Sequence, residues 1–365
     1  MNRIVVKSGT IVDGTGAASY EGDVVVCDEK IETVGSDSNL SPDTACIDAS
    51  DCIVCPGFID THSHSDFSLL VNPDAESALY QGVTTEVIGN CGLSLFPIAD
   101  ETKNILQSYI MGLGYDGSFP MDWTDLAGYA AALEKIGIGI NLVPLAGHGS
   151  IRIAVMGFDA REANSRELAA MRAHLKTACD QGAWGLSSGL VYPPGINSPS
   201  HELESLCEMV ADRGALYTTH LRGDTLRSGP SFIESLAEAL SVVRRTGVRL
   251  HVSHASPKFP NTGSVYTVIE MMQAARDEGF QVTCDAHPYL AAMTFLASLL
   301  PPWAFEGGTR ETLRRFDEPH KREQLIETIR DTFGHLDPAD FWPRNEIVLP
   351  DSQSEFNHCR MHIIS

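Results

Sequence analysis

The chain has 365 residues, 43% hydrophobic and 20% charged, a composition that is typical of globular proteins and excludes collagen-like and disordered chains. Its formal net charge of −22 is spread without a basic run, so the sequence predicts no nucleic-acid partner and no anionic membrane partner. The sequence also has no continuous run of about 18 apolar residues, so no membrane span is predicted.

The N-terminal residues, Met1 to Gly16, contain neither the apolar region nor the small-residue cleavage site of a secretory signal. The nine cysteines have irregular spacings, which favours reduced thiols over a disulfide framework. The sequence therefore predicts a cytoplasmic protein.

Short β-rich runs, separated by Asp13-Gly14, Glu21-Gly22 and Gly35, occupy residues 1–56 and predict a small antiparallel sheet. From Ile53 onward, short apolar strands alternate with loops and helix-length segments, a pattern that is typical of parallel βα units. The seven candidate strands are Val54–His62, Thr84–Cys91, Gly139–Gly147, Trp184–Val191, Ala215–His220, Val248–His254 and Gln281–Pro288. Seven strands are one fewer than a (β/α)8 barrel contains.

The alternation ends after Tyr289, where a long segment is followed by one strand-like run at Glu346–Leu349. No eighth βα unit precedes Ser365. Because a barrel of seven strands leaves two unpaired edges, the sequence predicts a fragment or a truncated product.

The strongest local signal is a His-x-His pair, His62 and His64, at the end of the first candidate strand. Residues i and i+2 of an extended strand point to the same side, so both imidazoles can face one point at the barrel mouth. The alternative is a pair of surface histidines in a turn. We expect a metal site, because a strand and a Pro-Gly step precede the pair.

Further imidazoles lie where other strands end, at His220 and His254. The carboxyl ends of barrel strands converge on one face, where catalytic residues gather. A buried, hydrogen-bonded histidine is the ordinary interpretation of His220 alone, and its combination with the others favours a ligand. His251 faces the opposite side of the strand from His254, so we expect it to pack or to form hydrogen bonds.

Cys91 closes the second candidate strand and is the cysteine that falls on the predicted metal face. A thiolate is a good zinc ligand, and zinc lowers the thiol pKa enough to deprotonate it. Two other interpretations stay open for Cys91, a buried apolar residue and a nucleophile paired with histidine.

Taken together, these residues resemble the amidohydrolase superfamily and, within it, the D-aminoacylase (N-acyl-D-amino-acid deacylase) family. The motifs that carry the resemblance run in order along nearly the whole chain: Pro56-Gly57-Phe58-Ile59-Asp60-Thr61-His62-Ser63-His64, Val87-Ile88-Gly89-Asn90-Cys91-Gly92, Gly147-His148-Gly149-Ser150-Ile151-Arg152, Gly185-Leu186-Ser187-Ser188-Gly189-Leu190-Val191-Tyr192-Pro193-Pro194-Gly195, Thr219-His220-Leu221-Arg222, Ser253-His254, Asp285-Ala286-His287-Pro288-Tyr289 and Leu300-Pro301-Pro302-Trp303.

The resemblance implies an α/β fold, a TIM-type (β/α)8 barrel of the amidohydrolase kind with a small N-terminal β-sandwich portion. The implied organisation is a β-sandwich portion at 1–56, barrel strands 1–7 at 57–290, an insert covering the active site at 291–345 and a truncated tail at 346–365. The implied activity is zinc-dependent hydrolysis of N-acyl-D-amino acids to a carboxylate and a free D-amino acid, through metal-activated water.

The resemblance also implies the roles of individual residues. His62 and His64 would hold one metal position, and a tightly bound zinc would be held at the other by the three donors Cys91, His220 and His254. Tyr192 would polarise the scissile carbonyl, with a packing aromatic as the alternative. Tyr289 would contact the substrate carboxylate.

Three departures from the family pattern are visible. The family's His-x-Lys on the sixth strand, whose lysine binds the substrate carboxylate, is replaced by a run in which Lys258 is displaced by two positions. His287 stands where relatives have a tyrosine. The family's catalytic aspartate, in a small-Asp-Gly motif on strand eight, falls beyond Ser365, so no general base is identified in this sequence.

Two alternative functions remain. A cyclic-amide hydrolase of the dihydroorotase or hydantoinase type shares the histidines but uses a carboxylated lysine on strand four, and the fourth candidate strand here has no lysine. The other alternative is a catalytically inactive, truncated metal-binding chain.

Overall fold

The computed structural model describes residues 3–35, 44–111, 119–223, 230–257, 261–287, 291–292, 300–305, 309–333 and 363–364. The strands are β1 Arg3–Ile11, β2 Tyr20–Cys27, β3 Lys30–Gly35, β4 Ala45–Asp48, β5 Ile53–Val54, β6 Phe58–Asp60, β7 Val83–Ile88, β8 Asn141–Pro144, β9 Ala146–Gly147, β10 Gly185–Gly189, β11 Leu216–His220, β12 Arg249–Val252, β13 Val282–Cys284, β14 Ala291–Ala292 and β15 Ile363–Ile364.

The α-helices are α1 Glu76–Leu79, α2 Lys103–Met111, α3 Leu126–Ile136, α4 His148–Met156, α5 Ser165–Asp180, α6 Ser200–Ala211, α7 Phe232–Thr246, α8 Val265–Asp277, α9 Thr309–Asp317 and α10 Pro319–Phe333. Within the described ranges, none of these helices has both the length and the apolar character that crossing a membrane requires.

The chain divides into two compact units, Met1–Ile59 with Gln81–Thr84, and Asp60–Tyr80 with Thr85–Ser365. The boundaries proposed above for the sandwich portion, barrel, insert and tail stay predictions.

The first unit contains a five-stranded sheet in the order β3-β2-β1-β4, with β5 also paired to β1. Strands β1, β2 and β3 form antiparallel pairs as predicted, but β4 and β5 run parallel to β1. The prediction of an antiparallel sheet is therefore wrong for this edge of the sheet. β4 and β5 pair with the edge of β1 that β2 leaves free, and both run in the same direction as β1. Val5, Ile11 and Val25 form the buried side of this sheet.

The strands from β6 to β13 follow the predicted chain order. They form one sheet in the order β6-β7-β8 and another in the order β13-β12-β11-β10-β9. The third predicted strand, Gly139–Gly147, contributes to both sheets, because Leu145 separates β8 from β9 and donates its N–H to the Ile88 carbonyl. Among the described residues, β6 and β13 each pair with a strand on one side only.

The first predicted strand, Val54–His62, is divided in the structure. Pro56 has no N–H to donate to a neighbouring strand, and an added Cβ at Gly57 would lie 2.1 Å from Thr84 Oγ1. The strand therefore ends at Val54 and resumes as β6, which places His62 just beyond the second piece.

A charged network lies buried between α4 and α6. Glu202, which is 1% exposed, accepts hydrogen bonds from Arg152 at 2.6 Å and from His148 Nε2 at 2.7 Å. Burial by itself raises the pKa of Glu202, but His148 and Arg152 outweigh it and lower the pKa to about 2. The carboxylate is therefore ionised, and this network fixes α4 against α6.

We predict that Glu202→Gln destabilises the fold by about 3 kcal/mol, because removing one member of a buried ion network leaves the other charge uncompensated. A pKa held below the ordinary 4.5 stabilises the folded state above about pH 4.5 and ceases to do so as the pH falls toward 2. Urea denaturation from pH 7 to pH 3 should therefore show the difference between wild type and variant decreasing. A difference that grows on acidification contradicts the prediction.

Candidate metal centre

The segment after β6 carries the His-x-His pair. His62 donates its backbone N–H to Asp60 Oδ1 at 2.9 Å, and Ser63 donates its N–H to the Val87 carbonyl at 3.1 Å. The segment thus continues beside β7 after β6 has ended. The rings of His62 and His64 lie with their centroids 5.4 Å apart, so the pair faces a common space as the spacing predicts.

Glu86 of β7 anchors the alternate residues of the same segment. Ser63 Oγ donates to Glu86 Oε2 at 3.1 Å, and the Ser65 hydroxyl donates to the same oxygen. The two serines are thereby bound to one buried carboxylate, which fixes the backbone that carries His64. Glu86 was not identified from the sequence, although a carboxylate within a strand of otherwise uncharged residues was a visible signal.

Cys91 lies in a tight turn after β7 with a φ of +52°, a backbone conformation that residues other than glycine rarely adopt. The turn is pressed against β10, because an added Cβ at Gly189 would lie 2.0 Å from the Cys91 carbonyl oxygen. An added Cβ at Gly92 would lie 2.6 Å from the Gly189 nitrogen. The two glycines therefore allow the close approach that places the Cys91 side chain over the strand ends.

His220 is the last residue of β11, and His254 follows β12 by two positions. Their ring centroids are 4.3 Å apart. The five predicted donors form two clusters, in each of which the donor atoms lie within 4.8 Å of one another. One cluster contains His62, His64 and Cys91, and the other contains Cys91, His220 and His254. Cys91, which is 9% exposed, belongs to both.

The electrostatics of the centre favour a thiolate. Burial alone raises the pKa of Cys91, but the charge of His62 and hydrogen bonds from the other imidazoles lower it well below its usual range. Burial lowers the pKa of His62, but the Cys91 sulfur and Asp285 outweigh it and raise the pKa to about 10. Without a metal, Cys91 and His62 therefore form a thiolate–imidazolium pair, and a metal ion would displace the proton from His62.

The donor geometry fits a zinc ion. Zinc–sulfur and zinc–nitrogen bond lengths place two ligands of a tetrahedral site about 3.5 Å apart. Cys91 Sγ lies 3.6 Å from His254 Nε2 and 3.2 Å from His62 Nε2. Thiolate and imidazole donors are also the ligands that zinc prefers.

Tyr192 follows β10 and borders the centre, with its ring centroid 4.8 Å from that of His220. Arg222 stabilises the loop that carries Tyr192, because it donates hydrogen bonds to the Ile196 carbonyl at 2.7 Å and to the Ser198 carbonyl at 3.0 Å. Glu238 of α7 holds the guanidinium in place through contacts at 3.1 Å. Arg222 belongs to one of the family motifs, but no role could be assigned to it from the sequence.

Two predicted substrate contacts, Lys258 and Tyr289, lie outside the described residues. Two residues at the centre were given no catalytic or ligand role from sequence. His251 forms hydrogen bonds, as its strand position predicted, at 2.8 Å to Thr283 Oγ1 and at 2.9 Å to Asp285. Asp285 follows β13, and its position at a strand end was the signal that could have identified it.

Comparison with known proteins places this chain in a family. Residues 45–295 match the family model described as "Amidohydrolase family". N-acyl-D-glutamate deacylase of Alcaligenes xylosoxydans xylosoxydans is 35% identical over 294 residues, which cover 80% of this chain and 58% of that protein. The chain thus spans somewhat more than half the length of this relative.

Solved structures of similar proteins support the same family assignment. The N-acyl-D-glutamate deacylase of Bordetella bronchiseptica, complexed with zinc and a phosphonate inhibitor that mimics the tetrahedral intermediate, is similar with a TM-score of 0.70 and 33% identity, over 79% of this chain and 59% of that one. A D-aminoacylase described as having a binuclear metal center is similar with a TM-score of 0.69 and 31% identity, over 79% and 59% of the two chains.

The predicted fold class, a TIM-type barrel of the amidohydrolase kind, is confirmed by these neighbours, and so is the resemblance to D-aminoacylases. From the matched family model and these relatives, the chain belongs to the amidohydrolase family.

Proposed function

We propose that this chain forms the metal centre of a zinc-dependent hydrolase that cleaves N-acyl-D-amino acids into a carboxylate and a free D-amino acid. The observation that carries the proposal is the convergence of four histidines, from three strand ends, on Cys91 at the end of a fourth strand. Relatives with this chemistry by name, one of them solved with zinc, support it.

The assignment of ligands is part of the proposal. Cys91, His220 and His254 would hold the tightly bound zinc, because this cluster, with Cys91 and His220 buried, is the more enclosed of the two. His62 and His64, with Cys91 shared, would hold a second and weaker position. Zinc in such a site supplies Lewis acidity for a carbonyl and activates water at neutral pH.

The protein's own side chains would orient the substrate. Tyr192 borders the centre on a loop fixed by Arg222, so its hydroxyl can donate a hydrogen bond to the scissile carbonyl oxygen as charge develops there. Tyr289 and Lys258 would contact the substrate carboxylate. Proton transfer to the leaving amine requires an acid–base group, and we assign no residue of this chain to that role.

A cyclic-amide hydrolase is less consistent with the centre. All five residues of β10, the fourth barrel strand, are buried, and the strand contains glycine, leucine and serine but no lysine. Cys91 occupies the position between the two clusters that a carboxylated lysine would need. The substrate would thus be a small linear amide. The cytoplasmic location of the protein stays a prediction.

The test of the proposed activity is a chelation experiment. The full chain should hydrolyse N-acetyl-D-amino acids, lose this activity on treatment with a chelator and regain it on addition of zinc. N-acetyl-L-amino acids and dihydroorotate serve as controls for stereochemistry and for cyclic amides. Hydrolysis that is indifferent to the chelator, or absent from the zinc-loaded chain, contradicts the proposal.

We predict that Cys91→Ser weakens zinc binding by more than about 100-fold, since loss of a hydrogen-bond partner to a ligand already costs 10- to 100-fold. Zinc retained after dialysis, measured by atomic spectroscopy, reports the loss. The matched control is Cys52→Ser, an exposed thiol in the first unit, which should retain zinc like the wild type. Equal zinc content in the two variants would rule out Cys91 as a ligand.

We predict that Tyr192→Phe lowers kcat by roughly 10²- to 10³-fold with little change in KM, because the donor acts on charge that develops in the transition state. The zinc content should be unchanged. Tyr266→Phe, at a residue of α8 that is 80% exposed, provides the matched control. A packing role for Tyr192 would instead leave kcat near the wild-type value.

A further inference from the structure

Asp285 lies at the centre without belonging to either donor cluster. It follows β13, and its side chain is 14% exposed. Its two carboxylate oxygens contact groups from three histidines, two of which are candidate ligands. This arrangement distinguishes Asp285 from the other carboxylates near the centre.

The contact with His62 fixes which ring nitrogen faces the metal position. Asp285 Oδ2 lies 3.1 Å from His62 Nδ1, while His62 Nε2 lies 3.2 Å from Cys91 Sγ. The carboxylate accepts the Nδ1–H, so Nε2 is directed at the sulfur. A carboxylate bound to the outer nitrogen of a ligating histidine orients the ring and increases the basicity of the inner nitrogen.

The contact with His254 fixes a strained backbone. His254 has a φ of +36°, and such a conformation costs on the order of 1–3 kcal/mol unless its surroundings maintain it. The His254 N–H donates to Asp285 Oδ1, and the Ala255 N–H donates to the Asp285 carbonyl at 2.9 Å. Asp285 therefore stabilises the turn that aims His254 Nε2 at Cys91.

The third contact holds the carboxylate itself in place. His251 Nε2 lies 2.9 Å from the oxygen that also contacts His62, and His251 Nδ1 lies 2.8 Å from Thr283 Oγ1. The carboxylate of Asp285 therefore cannot rotate freely while it contacts both His62 and His254. Release of one contact would disturb the other through the same rigid group.

We propose that Asp285 is a positioning residue that holds one ligand of each cluster, His62 and His254, against Cys91, so that the two metal positions depend on one carboxylate. The inference rests on the metal centre proposed above and concerns metal binding instead of hydrolysis.

The experiment compares Asp285→Asn with the wild-type full chain. Both proteins are freed of metal with a chelator and titrated with zinc in competition with a metal indicator, and in parallel with cobalt, whose thiolate charge-transfer band reports on Cys91. Asp285→Asn should weaken binding at both positions by about 10- to 100-fold each and alter the cobalt–thiolate band. Circular dichroism and thermal denaturation of the metal-free proteins verify folding.

Two variants separate positioning from a general structural role. His62→Ala should lose binding at the first position but keep the cobalt–thiolate band of the second cluster, because the contact between Asp285 and His254 remains. Asp277→Asn makes the same change of side chain at an exposed aspartate of α8, where Asp277 accepts a hydrogen bond from Gln273 of its own helix, and its zinc affinity should stay within about threefold of wild type. If Asp285→Asn does not fold, Asp285→Glu takes its place, since it keeps the charge but moves the oxygens away from the two contacts.

Wild-type affinity at both positions, or a loss confined to the first position, overturns the inference. A chain that binds zinc as expected but does not hydrolyse N-acyl-D-amino acids contradicts the proposed activity and leaves this inference intact.

Discussion

The Cys91 sulfur is the atom on which the whole centre depends, because it belongs to both donor clusters. A buried thiol would ordinarily hold its proton, and here the imidazoles around it reverse that preference. The position of the sulfur follows from a turn with positive φ that two glycines let approach β10. A rigid backbone thus presents one soft anion where several strands end, and the histidines are arranged around it.

Much of this arrangement could be predicted from the chain alone. The alternation of strands and helix-length segments placed the parallel strands, and donors at strand ends follow from barrel geometry. Parity along a strand separated His254 from His251, and the structure shows His251 bound to Thr283 and Asp285 instead. The resemblance supplied what spacing could not, the tyrosine on the loop after β10.

The parts that could not be predicted depend on contacts between residues far apart in the sequence. The bridge from Asp285 to His62 spans most of the second unit, and no local pattern indicates it. Glu86 and Arg222 act by forming hydrogen bonds to a neighbouring segment, and the secondary-structure propensity of a residue does not indicate such contacts. The division of the first barrel strand also needed three-dimensional information, since the crowding at Gly57 comes from Thr84.

The open edges of the parallel strands give the centre a second significance. Asp285, after β13, touches His62, after β6, and among the described residues each of these strands stands at one end of its sheet. An ion shared by Cys91 and its histidines would act as a noncovalent crosslink between the beginning and the end of this strand series. Since a ligand that binds only the folded state adds its binding free energy to stability, metal supply in the cell would control how much of this chain survives proteolysis.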